Sequence, residues 1–264
     1  MSGGVDSSVA AAILLEQGHE IVGVTARMWP EGSRCCSEDD TIAARRVADQ
    51  LGFKHLVVDL SADFQREVVD YFVREYVAGR TPSPCVRCNR FVKFGALMDV
   101  PELSGLDLLA TGHYARISRD DTGSLHLLRG LDRRKDQSYF LYCLSQTQLG
   151  RVVFPLGDML KTDVLTIARE KNLPLAGRGE SQDLCFADAG RHHYLVELLS
   201  PGAAKEGDIV DVAGRKLGRH AGVHRYTVGQ RRGLGLATGK PVYVVRLDAQ
   251  TATIVVGSEA DATA

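Results

Sequence analysis

Ser2-Gly3-Gly4-Val5-Asp6-Ser7-Ser8 opens the chain and runs straight into a helix-periodic apolar stretch. Two glycines let a backbone approach an anion closely, and successive N–H groups in such a turn form an anion-binding nest. Ser7 and Ser8 add hydroxyl donors, and the N-terminus of the helix that follows adds unpaired N–H groups and a favourable dipole. Asp6 is a candidate ligand for a Mg2+ ion that bridges phosphates. A plain Ser/Asp helix cap after a glycine turn is the alternative reading and needs no ligand. The Gly-Lys-Ser/Thr ending of a Walker loop is missing.

Working outward from this loop, periodicity predicts helices over 6–17, 39–51 and 63–77, and strands over 20–26, 55–60 and 106–111. Strands separated by helices of that length imply a mostly parallel sheet with helices on both faces. Ligands in such folds sit beyond the carboxyl ends of the strands. Further along, 123–129 reads as a hairpin arm, and 162–171 and 191–199 as helices. Past residue 200 the texture changes to short strands at 208–212, 226–228, 242–247 and 252–256 among Gly-rich turns. The fold class is therefore α/β followed by a small β-rich domain. The expected division is 1–200, 201–257 and a frayed tail over 258–264.

The chain has 264 residues, 32 Lys+Arg against 33 Asp+Glu, and a net charge of −1. No apolar run reaches the roughly 18–20 residues of a membrane helix, and no basic region followed by an apolar one marks a secretory signal. A cytoplasmic, reducing compartment is the expectation. Near-zero net charge argues against bulk electrostatic binding of nucleic acid but not against a local basic surface. Such a stretch exists. Between Asp211 and Asp248 there is no acidic residue, yet Arg215, Lys216, Arg219, Arg225, Arg231, Arg232, Lys240 and Arg246 all fall there. A phosphate-contacting surface and a solvated sheet face both fit that pattern.

Six cysteines stand at 35, 36, 85, 88, 143 and 185. Cys85-Val86-Arg87-Cys88 follows Thr81-Pro82-Ser83-Pro84, where two prolines predict an extended, rigid loop. Arg80, Arg87, Arg90 and Lys93 flank it with no acidic residue between them, a setting that favours reactive thiolate. Half of a zinc site is the alternative, weakened by the lack of a second Cys-x-x-Cys or a His pair. Cys143, within the apolar run 139–144, reads as a packing residue.

Four further stretches complete a series: Thr111-Gly112-His113-Tyr114, Lys135-Asp136-Gln137-Ser138, Ser181-Gln182-Asp183-Leu184-Cys185-Phe186 and Thr227-Val228-Gly229-Gln230-Arg231-Arg232-Gly233. With the loop at Ser2–Ser8, which resembles that of the ATP pyrophosphatase superfamily, they make the chain closely similar to the tRNA-specific 2-thiouridylases from Ser2 to about Gly257. The resemblance implies an adenine nucleotide alpha hydrolase-like fold and ATP-dependent placement of sulfur on C2 of the wobble uridine of tRNA. It implies that Ser2, Gly3, Gly4, Val5, Asp6, Ser7 and Ser8 hold the ATP phosphates and that Gly112 lines the adenine side. Cys88 matches the nucleophilic cysteine and Cys185 the persulfide carrier, with a Cys88–Cys185 disulfide left after turnover. His113, Lys135, Asp136 and Gln137 match positions near the target base. For His113 a satisfied structural histidine is the alternative. Arg231 and Arg232 are the candidate tRNA-contacting cations, and Tyr114 or Tyr139 a candidate stacking surface, with core packing the simpler use of Tyr139. A sulfur donor protein, a cysteine desulfurase or a sulfur relay, is implied as partner.

One departure from the family pattern matters. Many members carry Asp where this chain has Cys85, so either a persulfide route or a four-iron, four-sulfur cluster on Cys85, Cys88 and Cys185 fits the thiols. Family members are also longer, with a strand before the loop and a C-terminal barrel. Against them this chain reads as clipped at both ends, which is expected to expose the neighbours of that strand. An amidating ligase of the same superfamily and a tRNA-binding homologue without catalysis are the competing readings.

Overall fold

The structure, a computed structural model, describes residues 1–29, 38–174, 184–186, 192–202 and 204–263. Cys35, Cys36 and Ser181-Gln182-Asp183 lie outside them. In chain order the elements begin α1 (Val5–Glu16), β1 (Val22–Arg27), α2 (Glu38–Leu51), β2 (Lys54–Asp59), α3 (Ser61–Phe64), α4 (Asp70–Val77) and α5 (Pro84–Arg87). β3 (Leu109–Ala110), β4 (Ala115–Arg119), β5 (Leu125–Arg129), α6 (Gln146–Leu149), β6 (Val152–Val153) and α7 (Lys161–Glu170) follow. The remainder is α8 (His192–Leu199), β7 (Gly207–Asp211), β8 (Lys216–His220), β9 (Tyr243–Asp248), β10 (Thr253–Gly257) and α9 (Glu259–Thr263). Wide, π-helical turns follow α3 at Gln65–Val69 and α5 at Cys88–Lys93. The chain divides into two compact units, Met1–Val68 with Cys85–Phe186 and Val69–Pro84 with Ala187–Ala264.

In the first unit β1 and β2 pair in parallel from Val22↔Lys54 to Arg27↔Asp59, with α2 as the crossover between them. α2 is amphipathic and buries Ala43, Ala44, Val47 and Ala48. β3 and β6 form a second parallel pair, and β4 and β5 an antiparallel hairpin. α1 is buried by an unbroken run, Ser8 to Ala12, rather than by the single stripe of Val9, Ile13 and Leu14 that periodicity suggests. Small side chains there let neighbouring helices approach closely. Val9 packs with Val47 of α2 and with Val164 and Ala168 of α7. Each fully buried valine in that cluster contributes roughly 1.5–3 kcal/mol relative to exposure. A second cluster joins Phe94, Ala115, Leu141, Leu149 and Phe154 around β3, β4 and β6.

The second unit is a four-stranded sheet in the order β8-β7-β10-β9, with β7 and β10 parallel and the outer pairs antiparallel. Ile209, Val244, Ile254 and Val256 make its core. α4 and α8 pack together in this unit, so α4, which the sequence places among the first domain's elements, shares its contacts with the β-rich part. α8 anchors to the short turn Val223–Arg225 through Glu197, which accepts hydrogen bonds from buried His224 (3.0 Å) and from Arg225 (2.6 Å).

Several expected elements differ. Residues 81–83 lie outside helix and strand, but Pro84 begins a helical turn, because proline at a first helical position gives up only an N–H that would be unpaired anyway. Cys85 and Cys88 therefore ride a helix, not a loop. The strand expected over 106–111 shrinks to Leu109–Ala110, and Leu106 and Leu108 are exposed. No strand forms over 226–228. β8, whose KLGRH sequence lacks the β-branched signature of a strand, supplies the missing edge instead. The tail is not frayed through Thr263: Ser258 and Asp261 exchange hydrogen bonds at the start of α9.

Candidate active site

Met1 lies along β1. Its amino group donates to the Val24 carbonyl, and its own carbonyl accepts from Thr25 Oγ1 (2.9 Å). The chain then turns at Gly3, whose φ of +65° is open to glycine and costly for other residues. A Cβ there would also stand 2.6 Å from the Asp40 carbonyl oxygen of α2. Gly4 is the N-cap of α1 and no side chain caps the helix, so the plain Ser/Asp cap is not what this loop makes. Ser7 and Ser8 instead donate to the Gly4 carbonyl at 3.2 and 2.9 Å, and Ser2 N donates to Ser7 Oγ at 3.3 Å. The result is a Gly-rich turn with serine hydroxyls beside a helix N-terminus, at the carboxyl end of β1.

Gly112, just past β3, touches this loop from the other side. A Cβ on it would lie 2.8 Å from Asp6 C and 3.0 Å from Ser7 N, so only glycine lets the β3 end and the loop approach as they do. Tyr114, two residues on, is buried and donates its hydroxyl to Asp6 Oδ1 (2.9 Å). That burial removes Tyr114 as a stacking surface. Asp6 also accepts from Lys161 Nζ, at 2.7 Å to Oδ1 and 2.9 Å to Oδ2.

Cys88 is buried, and its Sγ lies 4.0 Å from Met28 Sδ, immediately after β1. The next residue, Trp29, meets Phe64 and Phe186, both at 6.1 Å between ring centroids, and Phe64 meets Phe186 edge-on at 5.5 Å. Phe186 is buried and directly follows Cys185, which is half-buried in a turn. One strand end thus carries a residue touching Cys88 and a residue touching the neighbour of Cys185. Cys85 is half-buried on α5. The cationic surroundings are less bare than the sequence suggests, because Arg87 is paired with Glu67 (2.8 Å) and Arg80 with Glu75. Cys143 is half-buried with its Sγ 3.6 Å from the Val86 carbonyl, and burial pushes its thiol up.

His113 bonds Thr111 Oγ1 through Nδ1 (2.8 Å) and is flanked by Phe94 and Phe154. Desolvation, with a smaller contribution from Lys93, pushes its pKa down to about 3, so the ring is neutral near pH 7. Asp136 spends its carboxylate inside its own loop, accepting from Gly130 N, Ser138 N and Ser138 Oγ. Gln137 Oε1 accepts from Tyr114 N at 3.1 Å. Those two side chains fix the loop that carries Lys135. Tyr139, expected in the core, is 59% exposed and lies with its ring 4.0 Å from that of Phe140.

In the second unit Gln230 shapes the Thr227–Gly233 turn: its Oε1 accepts from Thr227 N (3.0 Å) and its Nε2 donates to the Arg232 carbonyl (2.9 Å). Arg231 and Arg232 project from that turn, exposed and, among the described residues, without an ion pair. Four other cations of the acid-free stretch are less bare. Arg215, Lys216, Arg219 and Arg225 pair with Asp211, Asp208, Glu206 and Glu197, acids that lie outside the interval between Asp211 and Asp248.

Residues 1–189 match the family described as tRNA methyl transferase HUP domain, and residues 194–258 match its PRC-barrel domain. The tRNA-specific 2-thiouridylase MnmA of Geobacter metallireducens is 52% identical over 97% of this chain and 73% of its own length. That of Pelobacter propionicus is 51% identical over 98% of the chain and 73% of its own length. The chain belongs to the tRNA-specific 2-thiouridylase family. Among solved structures, the U34-tRNA thiolase NcsA of Methanococcus maripaludis with its 4Fe–4S cluster aligns with a TM-score of 0.44 at 19% identity, over 77% of this chain and 65% of that one.

For this thiouridylase the metal question turns on its donor set. Asp6, the candidate for Mg2+, has both carboxylate oxygens engaged, Oδ1 by Tyr114 and Lys161 and Oδ2 by Lys161. A cluster fits less well: among the described residues, Cys85, Cys88 and Cys185 included, no three His, Cys, Asp or Glu side chains are arranged to hold a metal ion. No helix among the described residues is long and apolar enough to cross a membrane.

Sequence reading missed Met28, Trp29 and Lys161 in this family member. The rule that ligands gather at strand carboxyl ends points at Met28 and Trp29. Nothing local points at Lys161, whose partner is 155 residues away. Trp29→Ala removes the ring that holds Phe186 and is expected to slow sulfur transfer by about ten- to a hundredfold, the scale of an ångström-sized misplacement. ATP binding should hold. Single-turnover thiolation checks this, and an unchanged rate would contradict the placement.

Proposed function

We propose that this chain is a tRNA-uridine 2-sulfurtransferase that uses ATP to thiolate the wobble uridine. The observation carrying the proposal is the strand end at Met28-Trp29, where Met28 meets Cys88 and Trp29 meets Phe186 beside Cys185. An adenylating enzyme that forms amides needs no such thiols.

The uridine C2 oxygen attacks the α-phosphorus of ATP, pyrophosphate leaves, and C2 then carries AMP as a leaving group. Ser2 to Ser8 hold the phosphates; Asp6 would be the residue to hold Mg2+, which would supply positive charge against the leaving pyrophosphate. Cys185 carries a persulfide delivered by a sulfur donor protein. Its terminal sulfur attacks C2 and expels AMP. Cys88 thiolate attacks Cys185 Sγ, breaking the S–S bond to the transferred sulfur. The products are 2-thiouridine and a Cys88–Cys185 disulfide, which a cellular thiol reduces. Release of the sulfur as sulfide before it reaches C2 gives the same products. Neutral His113 serves as a hydrogen-bonding partner near the base, and Lys135, positioned by Asp136 and Gln137, contacts the tRNA. We adopt the persulfide route, which needs no metal at these thiols, over a four-iron cluster on Cys85, Cys88 and Cys185; anaerobically purified, iron-free protein should be active.

The functional division we adopt is an ATP-using part over 1–200 and a tRNA-contacting part over 201–257. Arg231→Ala with Arg232→Ala is expected to weaken tRNA binding and to lower the log–log salt slope by about one to two. An unchanged slope would place these cations off the RNA. The reaction itself is tested in cells lacking their 2-thiouridylase. Expression of this chain should restore 2-thiouridine in digested tRNA, and its absence alongside soluble, ATP-binding protein would overturn the proposal.

A further inference from the structure

Cys88 opens the wide, π-helical turn Cys88–Lys93, in which the Phe94 N–H reaches back five residues to the Asn89 carbonyl (2.8 Å). Such turns are rare in helices and recur at functional sites. Two side-chain amides peg this one. Gln148 Nε2 of α6 donates to the carbonyls of Arg90 (2.8 Å) and Phe94 (2.6 Å) at the far end. At the near end Asn89 Nδ2 donates to the carbonyl of Phe140 (3.1 Å), in the short 3-10 turn Ser138–Phe140. That turn is anchored by Leu141, which is fully buried in the cluster with Phe94, Leu149 and Phe154.

Asn89 is only 2% exposed, and among the described residues its Oδ1 is buried without a hydrogen-bond partner. An acceptor buried unpaired costs about as much as the bond at the other end of the amide returns. The side chain is therefore a poor stabiliser, and an apolar one of similar volume would avoid the cost. What the amide supplies is direction. Its neighbour Cys88 is buried with Sγ against Met28 Sδ, and slipping the turn by one helical residue would swing that sulfur by about 100°. We propose that Asn89 is the positioning residue of the nucleophile: its bond to the Phe140 carbonyl holds the turn open and aims the Cys88 thiol at the Cys185 sulfur. This rests on the sulfurtransferase reading above, and no bond is made or broken at Asn89 itself.

Asn89→Asp and Asn89→Leu in the full chain test the assignment, with single-turnover thiolation and ATP-dependent AMP formation read in one reaction. Asp keeps the shape but, ionised, only accepts; Leu keeps the volume and does neither. Both should slow thiolation by about ten- to a hundredfold, the scale of a small misplacement of a reacting group, while AMP formation stays at the wild-type rate. A buried carboxyl titrates above its ordinary range and donates once protonated. Thiolation by Asn89→Asp, relative to wild type at the same pH, should therefore recover as the pH falls, and that by Asn89→Leu should not. The pH profile of Asn89→Asp decides alone if Asn89→Leu does not fold. Wild-type thiolation by Asn89→Asp, equal losses of thiolation and AMP formation, or a loss in Asn89→Asp that does not change with pH would overturn the inference. A wild-type chain that forms AMP but no 2-thiouridine would overturn the sulfurtransferase reading, and the inference with it.

Discussion

Cys185→Ser is expected to abolish sulfur transfer while leaving adenylation intact. A hydroxyl accepts no sulfane sulfur and forms no persulfide, so the loss should be about a thousandfold or more, in the range seen when a covalent nucleophile is removed. The turn bearing residue 185 is held by Phe186 against Trp29 and Phe64, so the variant should fold and AMP should still form in the presence of tRNA and ATP. Cys88→Ser separates the second step: sulfur is carried on Cys185, but reductive release onto the base stalls. Thiolated nucleoside and AMP measured in one reaction check both. Thiolation by Cys185→Ser at wild-type rate would mean that another group carries the sulfur.

Gly112→Ala should be nearly as damaging, by a route that involves no chemistry at residue 112. The added methyl would stand 2.8 Å from Asp6 C, 2.9 Å from Asp6 Cβ and 3.0 Å from Ser7 N. Two of those atoms are backbone at the start of α1, and α1 is packed without slack against α2 and α7 through Val9 and Ala10. The loop must shift by a good fraction of an ångström. Misplacement on that scale costs about a hundredfold in rate, and the loss should appear in ATP-dependent AMP formation as well as in thiolation. Circular dichroism should stay native. Wild-type AMP formation by Gly112→Ala would mean that the loop tolerates the displacement and that the close approach has no catalytic role.

The glycine turn, α1, α2 and the β1–β2 pair are legible because each rests on local chemistry: glycines where φ or close approach demands them, and apolar periodicity where a helix is buried. The elements that misread depend on distant partners. β8 is made a strand by pairing with β7, not by its own KLGRH sequence. Pro82 and Pro84 read alike, yet one stays outside any helix and the other starts one, because proline's fixed φ suits both. The acid-free window 212–247 hides its counter-ions, since the sheet folds Asp208 and Asp211 back onto Lys216 and Arg215. In the site, motif residues are visible in sequence, whereas Lys161 and Trp29 act through contacts that only the fold creates.

The central claim is that one chain couples ATP cleavage to transfer of a cysteine-borne sulfur onto tRNA. Loading the protein with isotopically labelled sulfur, adding tRNA and ATP for a single turnover, and weighing the nucleosides tests it most directly. The account predicts labelled 2-thiouridine at the wobble position in step with AMP, and none without ATP. AMP formation with the label still on the protein, or labelled uridine formed without ATP, would contradict it.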